Sequence, residues 1–199
     1  GRQLSGFLVA RDLRQLLYSE ASAAIADGAD ARRLVFAPRE GGDHALIAAF
    51  ATDRTSLRVV TSPVVVKGAL PQLKGPGVAG LSDVAKFPNG SVALTASHTT
   101  VGAPMVLTLQ VRNLSGAAIP VERNRLTPVL VADDAMGQGW WLAHSTKSPH
   151  SWTFSADAPG DYLVLAVLRQ VDAATSTSLP PRPLAFKLTV KPATPTKAE

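Results

Sequence analysis

Apolar and polar positions along the chain follow three successive patterns. From Phe7 to about Ala26, the residues Phe7, Leu13, Leu16, Leu17, Ala21, Ala24 and Ile25 recur at three- and four-residue steps, with Arg11, Arg14 and Glu20 off that stripe. The spacing predicts an amphipathic helix with Ser5 as its cap and Asp27-Gly28 as its stop. Such a helix needs a partner surface, and Phe7, Leu13, Leu16 and Leu17 are its candidate docking face. Strand-like runs follow at Arg33–Ala37, His44–Thr52 and Ser56–Thr61, with Pro63–Lys67 as an extension of the last. Ala45–Ala51 also fits a helix. The expected layout for residues 1–67 is a small α+β unit, one helix against an antiparallel meander.

Residues 68–89 carry Pro71, Gly75, Pro76, Gly77, Gly80 and Pro88 and little apolar periodicity, so they read as a connector between two domains. Within them, Gly75-Pro76-Gly77-Val78-Ala79-Gly80 spells G-x-G-x-x-G. A dinucleotide site would need a strand directly before it, a full helix after it and an acid about 20 residues on. None of these is in place, and a Gly/Pro linker is the plainer reading.

From Ser91 onward the period becomes two. Val92, Leu94 and Ala96 alternate with smaller or polar neighbours, as do Met105, Leu107, Leu109 and Val111. Further strands are expected at Leu126–Ala132, Trp140–Ala143, Ser151–Ser155, Tyr162–Val171 and Leu184–Val190. The most strand-like run is Tyr162–Leu168, entered through the turn Ala158-Pro159-Gly160-Asp161. About seven short strands between regular turns predict a mainly β chain whose residues 90–191 form a two-sheet sandwich, with residues 192–199 as a tail.

Two stretches sharpen that expectation. Val101-Gly102-Ala103-Pro104-Met105-Val106-Leu107-Thr108-Leu109-Gln110-Val111-Arg112-Asn113 and Ala158-Pro159-Gly160-Asp161-Tyr162 resemble the broad bacterial immunoglobulin-like and fibronectin-type-III-like superfamily over about residues 90–191. The resemblance implies that Tyr162 turns its hydroxyl back onto the preceding corner. It also implies that Val164 stands where the second disulfide cysteine would be, with Leu109 facing it as an apolar substitute for the bridge. Domains of this kind occur on cell-surface proteins, appendages, secreted-enzyme accessory modules and phage particles. The first third of the chain resembles no family.

Composition adds limits. With 46% hydrophobic residues among 199, the chain can bury a real core. The net charge of +5 is spread over both halves instead of forming a basic block, so no nucleic acid is expected as a partner. There are no cysteines, which excludes disulfides, thiolate metal sites and cysteine nucleophiles. No apolar run reaches the length of a membrane span, and no signal peptide is expected within these residues. A first residue of Gly1 instead of Met is what a processed protein or a fragment would have.

Candidate chemistry is sparse. His144 and His150 share a segment with Asp133, Asp134 and Met136, a loose donor set for zinc or copper but without ligand spacing. No G-x-S-x-G elbow is present, and the adjacent acids Asp133-Asp134 would point to opposite faces of a strand. Asn89-Gly90-Ser91 and Asn113-Leu114-Ser115 are sequons that matter only in a glycosylating pathway. Trp140, Trp141 and Trp152 cluster closely, and an exposed one could contact a protein or stack on a sugar.

The expected function is therefore a non-enzymatic structural or interaction protein with no cofactor. It would display an immunoglobulin-like domain on an assembly such as a cell envelope, an appendage or a virus particle, in homo- or hetero-oligomeric contact with protein partners. Its expected location is extracytoplasmic or on a particle surface. The alternatives are a secreted carbohydrate-binding module using the tryptophans and a metal-binding extracytoplasmic protein.

Overall fold

The computed structural model describes residues 4–21, 33–51, 57–71, 73–120, 124–142, 150–172 and 175–193. The chain is mainly β, and every strand ladder is antiparallel. The first sheet contains β1 (Leu4–Ala10), β2 (Leu16–Glu20), β3 (Gly42–Ala51) and β4 (Leu57–Val66) in the order β2-β1-β3-β4. The second contains β5 (Val84–Phe87), β6 (Gly90–Ala96), β7 (Met105–Asn113) and β10 (Ser151–Phe154) in the order β10-β7-β6-β5. The third contains β8 (Asn124–Asp133), β9 (Gly139–Trp141), β11 (Gly160–Gln170) and β12 (Arg182–Val190) in the order β12-β11-β8-β9.

The N-terminal helix expected from Phe7 is absent over the described residues, and its positions 22–26 lie outside them. Residues 4–20 form a hairpin instead, with Val9 opposite Leu16 and Phe7 opposite Tyr18. The apparent helical stripe arose from two strands flanking a turn. Phe7 and Val9 point to one side of β1, Leu8 and Ala10 to the other, and all four are buried. Leu13 sits in the turn at φ 60, a left-handed conformation that no helix interior tolerates. Leu16 faces the same cluster as Phe7, whereas Leu17, one residue on, points away. The proposed docking face is thus divided among a buried strand, a turn and two sides of a second strand. Ala45–Ala51 is strand.

The third sheet is the middle of a stack. On one face Val131, Tyr162, Val164, Ala166 and Leu168 pack against β6, β7 and β10 in a single cluster that also holds Leu109. On the other, Leu130, Ala132, Leu163, Leu165 and Val167 pack against Phe7, Val9, Ala45, Ile47 and Ala49 of the first sheet. Burial on both faces explains why β11 is a continuous apolar run. In β8 the register with β11 shifts between Leu126 and Val129, next to Pro128, which has no N–H for the ladder. That irregularity lets Leu126 and Val129, an odd number of residues apart, enter the same cluster.

Two further contacts fix the stack. The Tyr162 hydroxyl donates to the Ala158 carbonyl at 2.7 Å, the corner bond that the Pro-Gly-Asp-Tyr stretch predicts. At one end of the first sheet, the Arg169 guanidinium lies 5.9 Å from the Tyr18 ring centroid and pairs with Glu20. Tyr18 donates to Glu20 at 2.6 Å; burial and that carboxylate push its phenol well above the ordinary tyrosine range.

Residues 33–40 pass over the outer face of the first sheet. Leu34, Phe36, Pro38 and Glu40 are half-buried, while Arg33, Val35, Ala37 and Arg39 are exposed. The alternation resembles a strand, yet Val35 N–H donates to the Ser19 hydroxyl at 3.0 Å instead of to a ladder. The stretch 68–89 is not featureless: it carries a 3-10 turn at Val78–Gly80 and all of β5.

Candidate interaction groove

The three tryptophans do not form a common platform. Trp152 is 1% exposed inside the cluster between the second and third sheets, with His150 stacked on it at 6.5 Å, so it has no face left for a ligand. Trp140 and Trp141 point to opposite faces of β9, as neighbours on a strand must. Trp140 is half-buried against Phe154 at 5.7 Å and Tyr162 at 6.0 Å, and Trp141 packs on the cluster shared with the first sheet. Asp133 accepts the backbone N–H groups of Gly137 at 2.7 Å and Gln138 at 3.1 Å, which is the work of a turn cap. Asp134 is exposed and Met136 is buried, while His144 lies outside the described residues. Among the described residues no three His, Cys, Asp or Glu side chains gather around one point.

A different region stands out at one end of the first sheet. The 11–14 turn, the start of β3 at Gly42 and Asp43, the end of β4 at Val65 and Val66, and residues 67–71 and 73–74 border a groove of about 800 Å³. Three aliphatic side chains on its wall are left in solvent: Val65 is 74% exposed, Leu70 75% and Leu73 82%. Covering a leucine or valine side chain contributes about 1.5–3 kcal/mol, so their coincidence along one groove makes it a candidate contact surface.

Two sets of backbone contacts hold the groove open, one at Gly68 and Ala69 and one at Gly75 and Gly77. At one end Gly41 N–H donates to the Ala69 carbonyl at 2.8 Å, and a side chain at Gly41 would meet the Gly68 backbone at 2.7 Å. At the other, Gly75 N–H donates to the Asp12 carboxylate at 3.2 Å and Gly77 N–H to the Asp12 carbonyl at 2.9 Å. A Cβ on Gly75 would lie 2.1 Å from the Asp12 carbonyl oxygen, so only glycine permits this approach. Here is the reason for the G-x-G-x-x-G spelling: Gly75 meets the hairpin turn, and Val78 then plugs the cluster beneath. The signal was visible in the sequence, but the turn it meets lies 63 residues away.

Charge divides the groove in two. Arg14 is neutralised: it pairs with Asp12, donates to Glu40 at 2.6 Å and donates to the Gly41 carbonyl at 2.9 Å. Burial pushes the Asp12 carboxyl up, but hydrogen bonds from Gly75 and Arg14 and the adjacent guanidinium outweigh it and hold it below the ordinary carboxylate value. Lys67 and Lys74 have no ion-pair partner among the described residues. Arg11 donates to the Ala135 carbonyl at 2.8 Å and has no ion-pair partner among the described residues. Asp43 is the remaining acid on the wall.

No protein-family model matches the chain, and no curated protein sequence matches it.

Proposed function

We propose that this chain is a non-enzymatic structural or interaction protein. In this reading an immunoglobulin-like sandwich, formed by the second and third sheets, is backed by a further sheet and held on a larger assembly such as a cell envelope, an appendage or a virus particle. The Tyr162–Ala158 corner bond supports the immunoglobulin-like part. The observation that carries the interaction part is the groove: Val65, Leu70 and Leu73 stand in solvent on a wall pinned at both ends. A preorganised wall loses little entropy when a partner covers it, so the apolar area it offers is available for affinity. The tryptophans support a carbohydrate module less well, since Trp140 and Trp141 point apart and Trp152 is enclosed.

Amine-reactive cross-linking on the intact source material, read by mass spectrometry, tests the proposal. Lys67 or Lys74 is expected to link to one assembly protein or to a second copy of the chain. Cross-links confined within single copies, together with glycan-array binding that Trp141→Ala removes, would replace it with the carbohydrate reading.

A further inference from the structure

We infer that the groove receives a partner-protein segment in which acidic side chains stand beside apolar ones. The inference rests on the interaction reading above and adds the chemistry of the partner. The charge count comes first. Four cations, Arg11, Arg14, Lys67 and Lys74, stand against three acids, Asp12, Asp43 and Glu40, an excess of one positive charge; Arg14 engages both Asp12 and Glu40, so the cations without an ion pair among the described residues are Arg11, Lys67 and Lys74. An acidic segment complements that rim, and its apolar residues cover Val65, Leu70 and Leu73.

Other occupants fit less well. A nucleic acid would have no aromatic ring among the described lining residues for a base to stack on, and no apolar side chains to cover Val65, Leu70 and Leu73. A flat lipid surface would meet Val65, Leu70 and Leu73 where they stand in solvent but would not enter the groove between β3, β4 and the 11–14 turn, and vesicles are one arm of the test below. Strand addition along the whole of β4 meets Pro63, which has no N–H to donate. Recognition therefore runs through side chains at the β4 end of the sheet. The wall is in place before binding, because the Gly41–Ala69 and Asp12–Gly77 hydrogen bonds hold it without the partner.

The test selects short random peptides displayed on phage against the full chain, with counter-selection on Leu70→Asp/Leu73→Asp. Both leucines are exposed, and a thermal melt of each variant checks that it is folded. Enriched peptides are expected to be net acidic with at least two large apolar residues. Their affinity should fall about tenfold or more in Leu70→Asp/Leu73→Asp. It should also weaken with added salt, and in Lys67→Glu/Lys74→Glu the preference should shift toward basic peptides. Enrichment of neutral or basic peptides on the unaltered chain, or no peptide that distinguishes it from the leucine variant, overturns the inference. Leucine-dependent binding to phosphatidylcholine/phosphatidylserine vesicles in place of peptides overturns it too. If the cross-link to an assembly protein survives in the leucine variant, the interaction reading stands and only this assignment of the groove fails.

Discussion

Asp12 does more to shape the groove than any of its apolar residues. Its carboxylate takes the Gly75 and Arg14 N–H groups and the Arg14 guanidinium, and its carbonyl takes Gly77 N–H. Because the folded state lowers the pKa of Asp12, it favours the ionised form. The resulting stabilisation is present above the unfolded-state value, near 3.9, and is lost as pH falls through the lowered folded value. Asp12→Asn should therefore speed amide exchange at Gly75 and Gly77 at neutral pH and flatten the acid limb of the stability curve. Hydrogen-exchange mass spectrometry on the two proteins checks this; equal protection would mean that the carboxylate charge is not what holds the wall. At this scale the sequence was readable where partners are close in the chain. Pro159-Gly160-Asp161-Tyr162 announces a bond spanning four residues. Asp12 and Gly75 announce nothing, because neither carries the other's address across 63 residues.

Among the elements, β11 shows both how far periodicity reaches and where it stops. Its apolar run identifies a strand, but a run with no polar alternation does not say that two different sheets cover it. Leu165 is fully buried and faces the first sheet, whereas Val164 faces the second. Leu165→Ala should cost about 2–5 kcal/mol, because the three-sheet stack cannot close around the cavity. Urea unfolding measures it, and a loss below about 1 kcal/mol would mean that the first sheet packs only loosely on the third. The opposite error occurred at the N-terminus. Leu13, Leu16 and Leu17 fall at helical steps, yet the chain reverses there after Phe7 and Val9. A hairpin whose turn holds an apolar residue can imitate a helix period, and the tertiary surface on which Phe7 and Leu16 pack then decides.

For the molecule as a whole, composition correctly promised a large core and periodicity correctly promised a β-rich chain. Strand pairing and the stacking order of the sheets depend on contacts between distant segments, which no local window contains. A chain beginning at residue 68 would bare Leu130, Ala132, Leu163, Leu165 and Val167 on the middle sheet. It should precipitate or self-associate instead of giving a soluble monomer, as light scattering would show; a well-behaved monomer would mean that the second and third sheets are stable without the first.

The two-faced middle sheet also bears on how the chain is made. Strands β1 and β3 reach the ribosome exit first, but the surface they pack on, Leu163 to Val167, is translated more than a hundred residues after β3 ends. At about 5–20 residues per second, the apolar face of the newborn first sheet waits roughly 5 to 25 seconds for its partner. During that interval Phe7, Val9 and Ile47 have no middle sheet to pack on, so the order of synthesis leaves one apolar sheet face unshielded until β11 arrives.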